Sequence, residues 1–464
     1  MGRFARRDFL KTAGMGIAAA PAFAAQSGLA ASRKRPVPIP VFPPLSLDIR
    51  DFGALGDGTT KNTAAIQQAL DRCEVLGGGD VLIPAGRFLS GTIFLRSYTR
   101  IRFEEGAELL GSADFADYPV CQTRWEGKWI AGHASLIHAI DAENIAVIGP
   151  GKISGAVSLG GRPNAQNPLR HPALIELVCC RNILLDGFST SYERMWNIHP
   201  VYCENLTARN LTIRSTTGNG DGIDVDSCKH VRIEGCDIST GDDCIALKSG
   251  RGSEANAIGR PTEDVVITNC TFADAHFACI GIGSEASGGI RGVRIANCKF
   301  TYAKTHAIYI KSRIGRGAFI EDIEAHDLDV TGPQLGFLRI NLLDSGIQDE
   351  HPVPGVPGIP RASAFRFSRI AVHGVPQLVE ATAIHPSKPL AGLTLHDISG
   401  DCAKGIYLAN VRNADIARVH VSGFSGPLLN IANVTGKGLK GAAPIDVPAP
   451  PDVVPEPATP YRLK

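Results

Sequence analysis

Three aspartates within residues 219–250, NGDGIDVDSCKHVRIEGCDISTGDDCIALKSG, have the residue types that acid–base chemistry requires. Asp221 closes an Asn-Gly-Asp motif that begins at Asn219, and Asp242 and Asp243 form a Gly-Asp-Asp motif. Between the motifs runs VRIEGCDI, a strand-like stretch rich in β-branched residues. If that stretch is one turn of a coiled sheet, the second motif lands one coil above the first, about 4.8 Å away. Carboxylates that close raise at least one pKa. A protonated acid beside an ionised base is the pair that glycosidic cleavage uses. Asp242 and Asp243 are adjacent, so a flat strand would point them to opposite faces. For both to face one groove the backbone must bend, which Gly241 eases. Asp224 and Asp226, taken alone, read as turn residues that cap coils.

The elements around these motifs repeat. Residues 183–188, 206–211, 231–236, 265–270 and 293–298 share the pattern apolar-x-apolar-x-(Asn/Gly)-apolar. Their spacing runs from about 23 to about 34 residues, the range of a solenoid. Weaker copies follow at 323–328, 370–372, 393–398 and 416–421. The repeats predict an all-β chain, a coiled parallel sheet in one domain over 46–436. Asn or Gly at the corner position suits the left-handed backbone that a coil corner needs. Ahead of the repeats, Ala65, Ile66, Ala69, Leu70 and Cys73 fall at helical spacing, with Thr60 or Asn62 as cap. This helix is expected to cover the open first coil, whose strand edges would otherwise invite aggregation. Residues 437–464 are Pro-rich, lack the pattern, and read as an extended tail.

The chain has 464 residues and a net charge of +1, which argues against nucleic acid or an anionic membrane as the main partner. Of its twelve cysteines none forms a CxxC pair, so a zinc site is not expected. Positions such as Cys236, Cys270 and Cys298 read as small buried hydrophobes, with a few disulfides as the alternative. Arg6-Arg7-Asp8-Phe9-Leu10-Lys11, an apolar run and Ala22-Phe23-Ala24 resemble a twin-arginine signal peptide over 1–24. The apolar run is too short and Gly/Ala-rich for a membrane anchor. This resemblance implies the twin-arginine export machinery as a partner and a periplasmic or secreted location. Residues 25–45 are Pro-rich and basic, a linker.

The paired motifs at this spacing resemble glycoside hydrolase family 28, the polygalacturonases, and DFGALGDG with GGGDVLIPAG near the start of the mature chain resembles the opening of many pectin-active β-helix proteins. The resemblance covers roughly residues 46–435 and implies a right-handed parallel β-helix and hydrolysis with inversion. By motif, Asp242 matches the family's general acid, Asp221 and Asp243 the carboxylates that activate water, and Asn219 the asparagine that supports them. The family's GHG motif is altered: the run is AHFACIGIGSE, with the Gly-Ser-Glu of many exo-acting members intact at Glu285. His276 is the candidate for the family's histidine if a one-residue bulge restores the match. The alternative is a histidine satisfied by a backbone carbonyl. The RIK motif reads Tyr309-Ile310-Lys311. Lys311 matches, while Tyr309 replaces an arginine whose planar fork it cannot supply. Arg313 would share the face of Lys311 if the strand continued. Trp196, in MWNIHP, matches a segment at the groove rim and is a candidate for stacking on a sugar, with core packing as the alternative. Trp125 and Trp129 lie in a loop, 121–135, placed to close one end of the groove, which would mean exo action.

The resemblance implies an enzyme acting on a pectic polysaccharide or oligosaccharide, with no cofactor and no metal, since acid–base hydrolysis needs neither. Two other readings stand beside it. A pectate-lyase-like elimination shares the fold but would need an arginine base that the sequence does not identify. A non-catalytic glycan-binding β-helix would explain the altered motifs but not three crowded carboxylates.

Overall fold

The computed structural model describes residues 37–159, 168–192, 195–216, 218–459 and 461–463. The proposed signal peptide lies outside them. Helix α1 (Thr63–Val75) opens the fold and buries Ile66, Ala69, Leu70 and Cys73 against the first coil. Asn62 stands at its N-cap, but its side chain makes no capping bond. It holds Leu55 instead, accepting from the Leu55 amide at 2.7 Å and donating to the Leu55 carbonyl at 3.0 Å. The expected cap residue therefore ties down the preceding turn.

Among the described residues, 31 strands join one sheet, wound as a right-handed parallel β-helix. The repeated sequence pattern is the register of that helix. Ile183 pairs with Leu206, Leu206 with Val231, Val231 with Val265, Val265 with Val293, and Val293 with Ile323. These side chains are buried as an axial stack. The corner positions Gly187, Asn210, Gly235, Asn269 and Asn297 all have φ between 53° and 82°. That left-handed backbone explains the Asn/Gly requirement. All twelve cysteines are free thiols, and Cys236, Cys270 and Cys298 are core residues.

One face of the helix carries six strands that matter below: β1 (Ile198–Val201), β2 (Ile223–Asp226), β3 (Ile245–Lys248), β4 (Ile280–Ile282), β5 (His306–Lys311) and β6 (Gly336–Asn341). They pair in that order, all parallel. Ile198, Ile223, Ile245, Ile280, Ile308 and Leu338 stack inward, so the alternate residues of each strand face out.

The loop expected at 121–135 is an antiparallel hairpin, Val120–Trp125 with Lys128–His133. Two buried ion pairs root it: Arg124 Nε lies 2.6 Å from Asp226, and Arg170 Nη1 lies 2.7 Å from Glu176, which also accepts from Thr123 Oγ1 at 2.6 Å. After the last long strand the tail runs without regular structure beyond Pro444. Val454 O accepts from Gly355 N at 2.8 Å, so the tail packs on the segment that follows β6. No helix among the described residues is long and apolar enough to cross a membrane.

Candidate active site

Two coil corners bring the three aspartates together. Ile223 of β2 pairs with Ile245 of β3, and two residues earlier stand Asp221 and Asp243. Gly222 N donates to Asp243 O at 3.0 Å across this step. Asp242 and Asp243 sit in the bend between the strand Asp237–Thr240 and β3, the bend that the adjacent pair requires. Asp242 accepts from the amide of Asp243 at 3.0 Å through Oδ1, and Thr240 Oγ1 donates to its carbonyl at 3.0 Å. Oxygens of Asp221, Asp242 and Asp243 lie within 4.8 Å of one another. They line a cleft of about 110 Å³ with Glu126, Trp196, Asn219, Lys248, Glu285 and Lys311.

Two lysines divide the charge. Lys311 Nζ is 2.7 Å from Asp243 Oδ2, whose Oδ1 accepts from Ala278 N at 3.0 Å. Lys248 Nζ is 2.7 Å from Asp224 Oδ1 and 3.4 Å from Asp221 Oδ2. Asp242 has no such ion pair among the described residues. Burial, Asp221 and Asp243 push its pKa up to about 8 against the weaker pull of Lys311 and Lys248. Burial and Asp224 also raise Asp221, opposed by Lys248. Burial raises Asp224 to about 6 despite Lys248. For both lysines burial favours the neutral amine, yet the facing carboxylates outweigh it and raise their pKa values. Burial likewise opposes ionisation of Glu285, but Lys248, Arg316 and Lys311 hold its carboxyl below the ordinary range.

The structure places the remaining expected residues as follows. Asn219 lines the cleft with φ 68° and donates to Met195 Sδ at 3.5 Å. Glu285 lines it as well. His276 does not reach the carboxylates: its side chain is half exposed and Nε2 lies 3.6 Å from Asp274. The reason is register. Ile245 pairs with Ile280, so the residue one coil above Asp243 is Ala278, two positions beyond His276. Trp196 lines the cleft too. It is 2 % exposed, and Lys248 Nζ stands 3.8 Å from its ring centroid, so it offers a cation seat rather than an open face for a sugar. Arg313 is not among the lining residues: strand β5 ends at Lys311, and Arg313 Nη1 donates to the carbonyl of Gly346, which packs beside the lining residue Ser284. Tyr309 is buried, its ring stacked 6.0 Å from Phe277, and its hydroxyl lies 3.4 Å from Ser345 Oγ.

Three residues were not singled out from the sequence as site members. Lys248 and Asp224 face out on β3 and β2, and the alternation of each strand with Ile245, Leu247, Ile223 and Val225 inward is the signal that finds them. Glu126, at the tip of the hairpin, has no such signal. The tip is held by Arg251, which pairs with Glu126 at 3.5 Å and Asp349 at 3.2 Å. Lys128 adds contacts to Asp349 at 3.3 Å and to Glu254, on helix α2 (Gly252–Ile258), at 3.6 Å. Hairpin, helix and the segment after β6 thus form one wall beside the cleft.

Gly281 faces out of β4 between Asp243 and Lys311. A Cβ there would overlap the Asp243 carboxylate and come within 3.2 Å of Lys311 Cε. Gly281→Ala is expected to displace this ion pair and to lower kcat by about tenfold or more, since a displacement of ~1 Å is enough for such losses. Steady-state kinetics beside a thermal melt check it: a kcat within twofold of wild type would mean the pair has room to move.

On the outer face of a parallel β-helix, this carboxylate–lysine cleft holds the groups that acid–base chemistry needs. A family model, glycosyl hydrolases family 28, matches residues 73–335. A probable polygalacturonase of Vitis vinifera is 30 % identical over 367 residues, 76 % of this chain and 74 % of the relative. The exo-poly-alpha-D-galacturonosidase of Dickeya chrysanthemi is 27 % identical over 305 residues, 55 % of this chain, which spans only 50 % of that relative's length. In structure, the hyperthermoactive exopolygalacturonase of Thermotoga maritima aligns with a TM-score of 0.68 and 27 % identity, covering 87 % of this chain and 94 % of that one. The Yersinia enterocolitica family 28 exopolygalacturonase shares the fold, with a TM-score of 0.74 at 22 % identity, over 88 % of this chain and 79 % of that one. The chain belongs to glycosyl hydrolases family 28 and is a glycoside hydrolase.

Proposed function

We propose that this hydrolase is exported and cleaves galacturonic-acid-containing bonds in pectin or its fragments, from chain ends, with Asp242 as general acid. The observation that carries the acid assignment is the division of charge. Lys311 pairs with Asp243, and Lys248 with Asp224 and more distantly Asp221, so Asp242 is the one of the three aspartates with no lysine partner among the described residues. Asp242 then protonates the leaving oxygen, while Asp243 deprotonates the attacking water that Asp221 helps to hold. The substrate class rests on the polygalacturonases and exopolygalacturonases that the chain resembles. Exo action rests on the wall. Glu126 lines the cleft and is held by its ion pair with Arg251, and we take that wall to block a longer polymer.

Product analysis on polygalacturonate, oligogalacturonides, rhamnogalacturonan and xylogalacturonan tests this reading. Saturated monomer released from the outset supports exo hydrolysis. A mixed ladder of oligomers refutes the exo assignment, and unsaturated product refutes hydrolysis on that substrate. The resemblance implies inversion, and the first-formed anomer, read by NMR, tests it.

The same assignment sets the pH profile. Asp242 works protonated, and its pKa stands at about 8. The alkaline limb of kcat/KM is therefore expected near pH 8, well above an ordinary carboxyl group. Removing the Lys248 charge, as in Lys248→Met, takes away a pull on the cluster and should move the limb further up. A limb near pH 5 would remove Asp242 as the acid.

A further inference from the structure

Both lysines that line the cleft are engaged by carboxylates, and the lining also holds Glu126, Glu285 and the three aspartates. Among the described lining residues no cation is left uncommitted for a uronate carboxylate. One route to a cation leads outward along the sheet. Lys311 Nζ stands 4.5 Å from the Phe277 ring centroid. Phe277 stacks on Tyr309 at 6.0 Å with 23° between the rings. Tyr309 of β5 pairs in register with Arg339 of β6, whose guanidinium carbon is 5.6 Å from the Tyr309 centroid. Phe277 and Arg339, bridged by the buried Tyr309, thus form a contiguous patch that runs from Lys311 into the next coil.

Arg339 is only loosely held. Its contact with Glu380 is a single approach of 3.4 Å, and the two side chains are 31 % and 35 % exposed. Exposed pairs of that kind contribute little, so an incoming carboxylate can compete for the guanidinium fork, which suits bidentate pairing. Phe277 is part-exposed and offers its ring to the apolar face of a sugar.

We propose that this surface is a second sugar subsite, in which Arg339 pairs with a uronate carboxylate beside a Phe277 floor. It supplies, one coil farther on, the bidentate cation that Tyr309 cannot. This inference rests on the galacturonate reading above. It makes Arg339 a specificity-determining residue, one that binds an acidic sugar adjacent to the one in the cleft.

The test compares oligogalacturonide with its methyl-esterified form, which keeps the rings and removes the charge. Arg339→Gln is expected to raise KM for the acidic substrate by about tenfold, the loss of one charge-assisted pair, with kcat and the esterified substrate little changed. Arg339→Lys should recover part of the loss, and Glu380→Gln should lower KM. Calorimetric binding of the acidic oligogalacturonide to Asp242→Asn, with and without Arg339→Gln, reads the same contact without turnover. Equal affinity in the presence and absence of Arg339, or an equal loss on both substrates, overturns the subsite while leaving the hydrolase reading intact. No binding and no hydrolysis of any oligogalacturonide overturns the substrate reading, and the subsite with it.

Discussion

Asp242→Asn is expected to lower hydrolysis by about 10²- to 10⁴-fold, the usual share of a positioned general acid, while making the protein more stable. The first half follows from chemistry: an amide hydrogen-bonds as a carboxylic acid does but cannot release a proton to the leaving oxygen. The second follows from linkage. The Asp242 pKa is raised from 3.8 to about 8 in the folded chain. Between those values the folded state keeps a proton that the unfolded chain has released, so stability falls as pH rises through that window. Asparagine carries no such loss. The melting temperature of the variant should exceed that of the wild type, and the gap should widen from about pH 5 to about pH 8. Calorimetric melts at both pH values, beside initial rates, measure it. Activity that survives places the acid elsewhere. A gap that does not change with pH means that Asp242 is ordinary in the folded state.

The second large effect is on Lys311. Its side chain and that of Asp243 are 11 % and 4 % exposed, so Lys311→Met leaves a buried carboxylate without its cation. Breaking a buried pair in this way costs about 3–5 kcal/mol. The carboxylate loses the cation that positions it, and activity falls with it. The double variant Lys311→Met/Asp243→Asn separates the two losses. It removes the stranded charge, and Ala278 N can still donate to the amide oxygen at position 243. Denaturant unfolding should show most of the stability restored, whereas hydrolysis stays abolished. If the double variant is as unstable as the single one, Lys311 contributes through packing against Phe277 rather than through charge.

His276 and Arg313 miss the cleft lining for a shared cause. A coil corner absorbs loops of different length, so residues near each other in sequence need not share a coil step. His276 matched by counting along the chain, but the strand pairing puts Ala278 above Asp243. Arg313 matched by alternation, but β5 ends before it and the chain turns toward Gly346. Trp196 did come to the cleft, as a buried wall under Lys248.

What the amino-acid sequence determined by itself is the coil and the meeting of three carboxylates. A parallel β-helix buries the same position of every turn in one axial stack, so the apolar alternation and the Asn/Gly corners must recur along the chain. Ile183, Leu206, Val231, Val265 and Val293 do so. Asp221, Asp242 and Asp243 are equally legible, because the strand between the motifs is one short turn without an inserted loop. Only the tertiary structure decided which cation meets which carboxylate and what closes the cleft. Lys311 reaches Asp243 across 68 residues, and Arg251 meets the hairpin tip at Glu126 across 125. Such pairings depend on loop lengths and on where each strand stops, and no local periodicity encodes either.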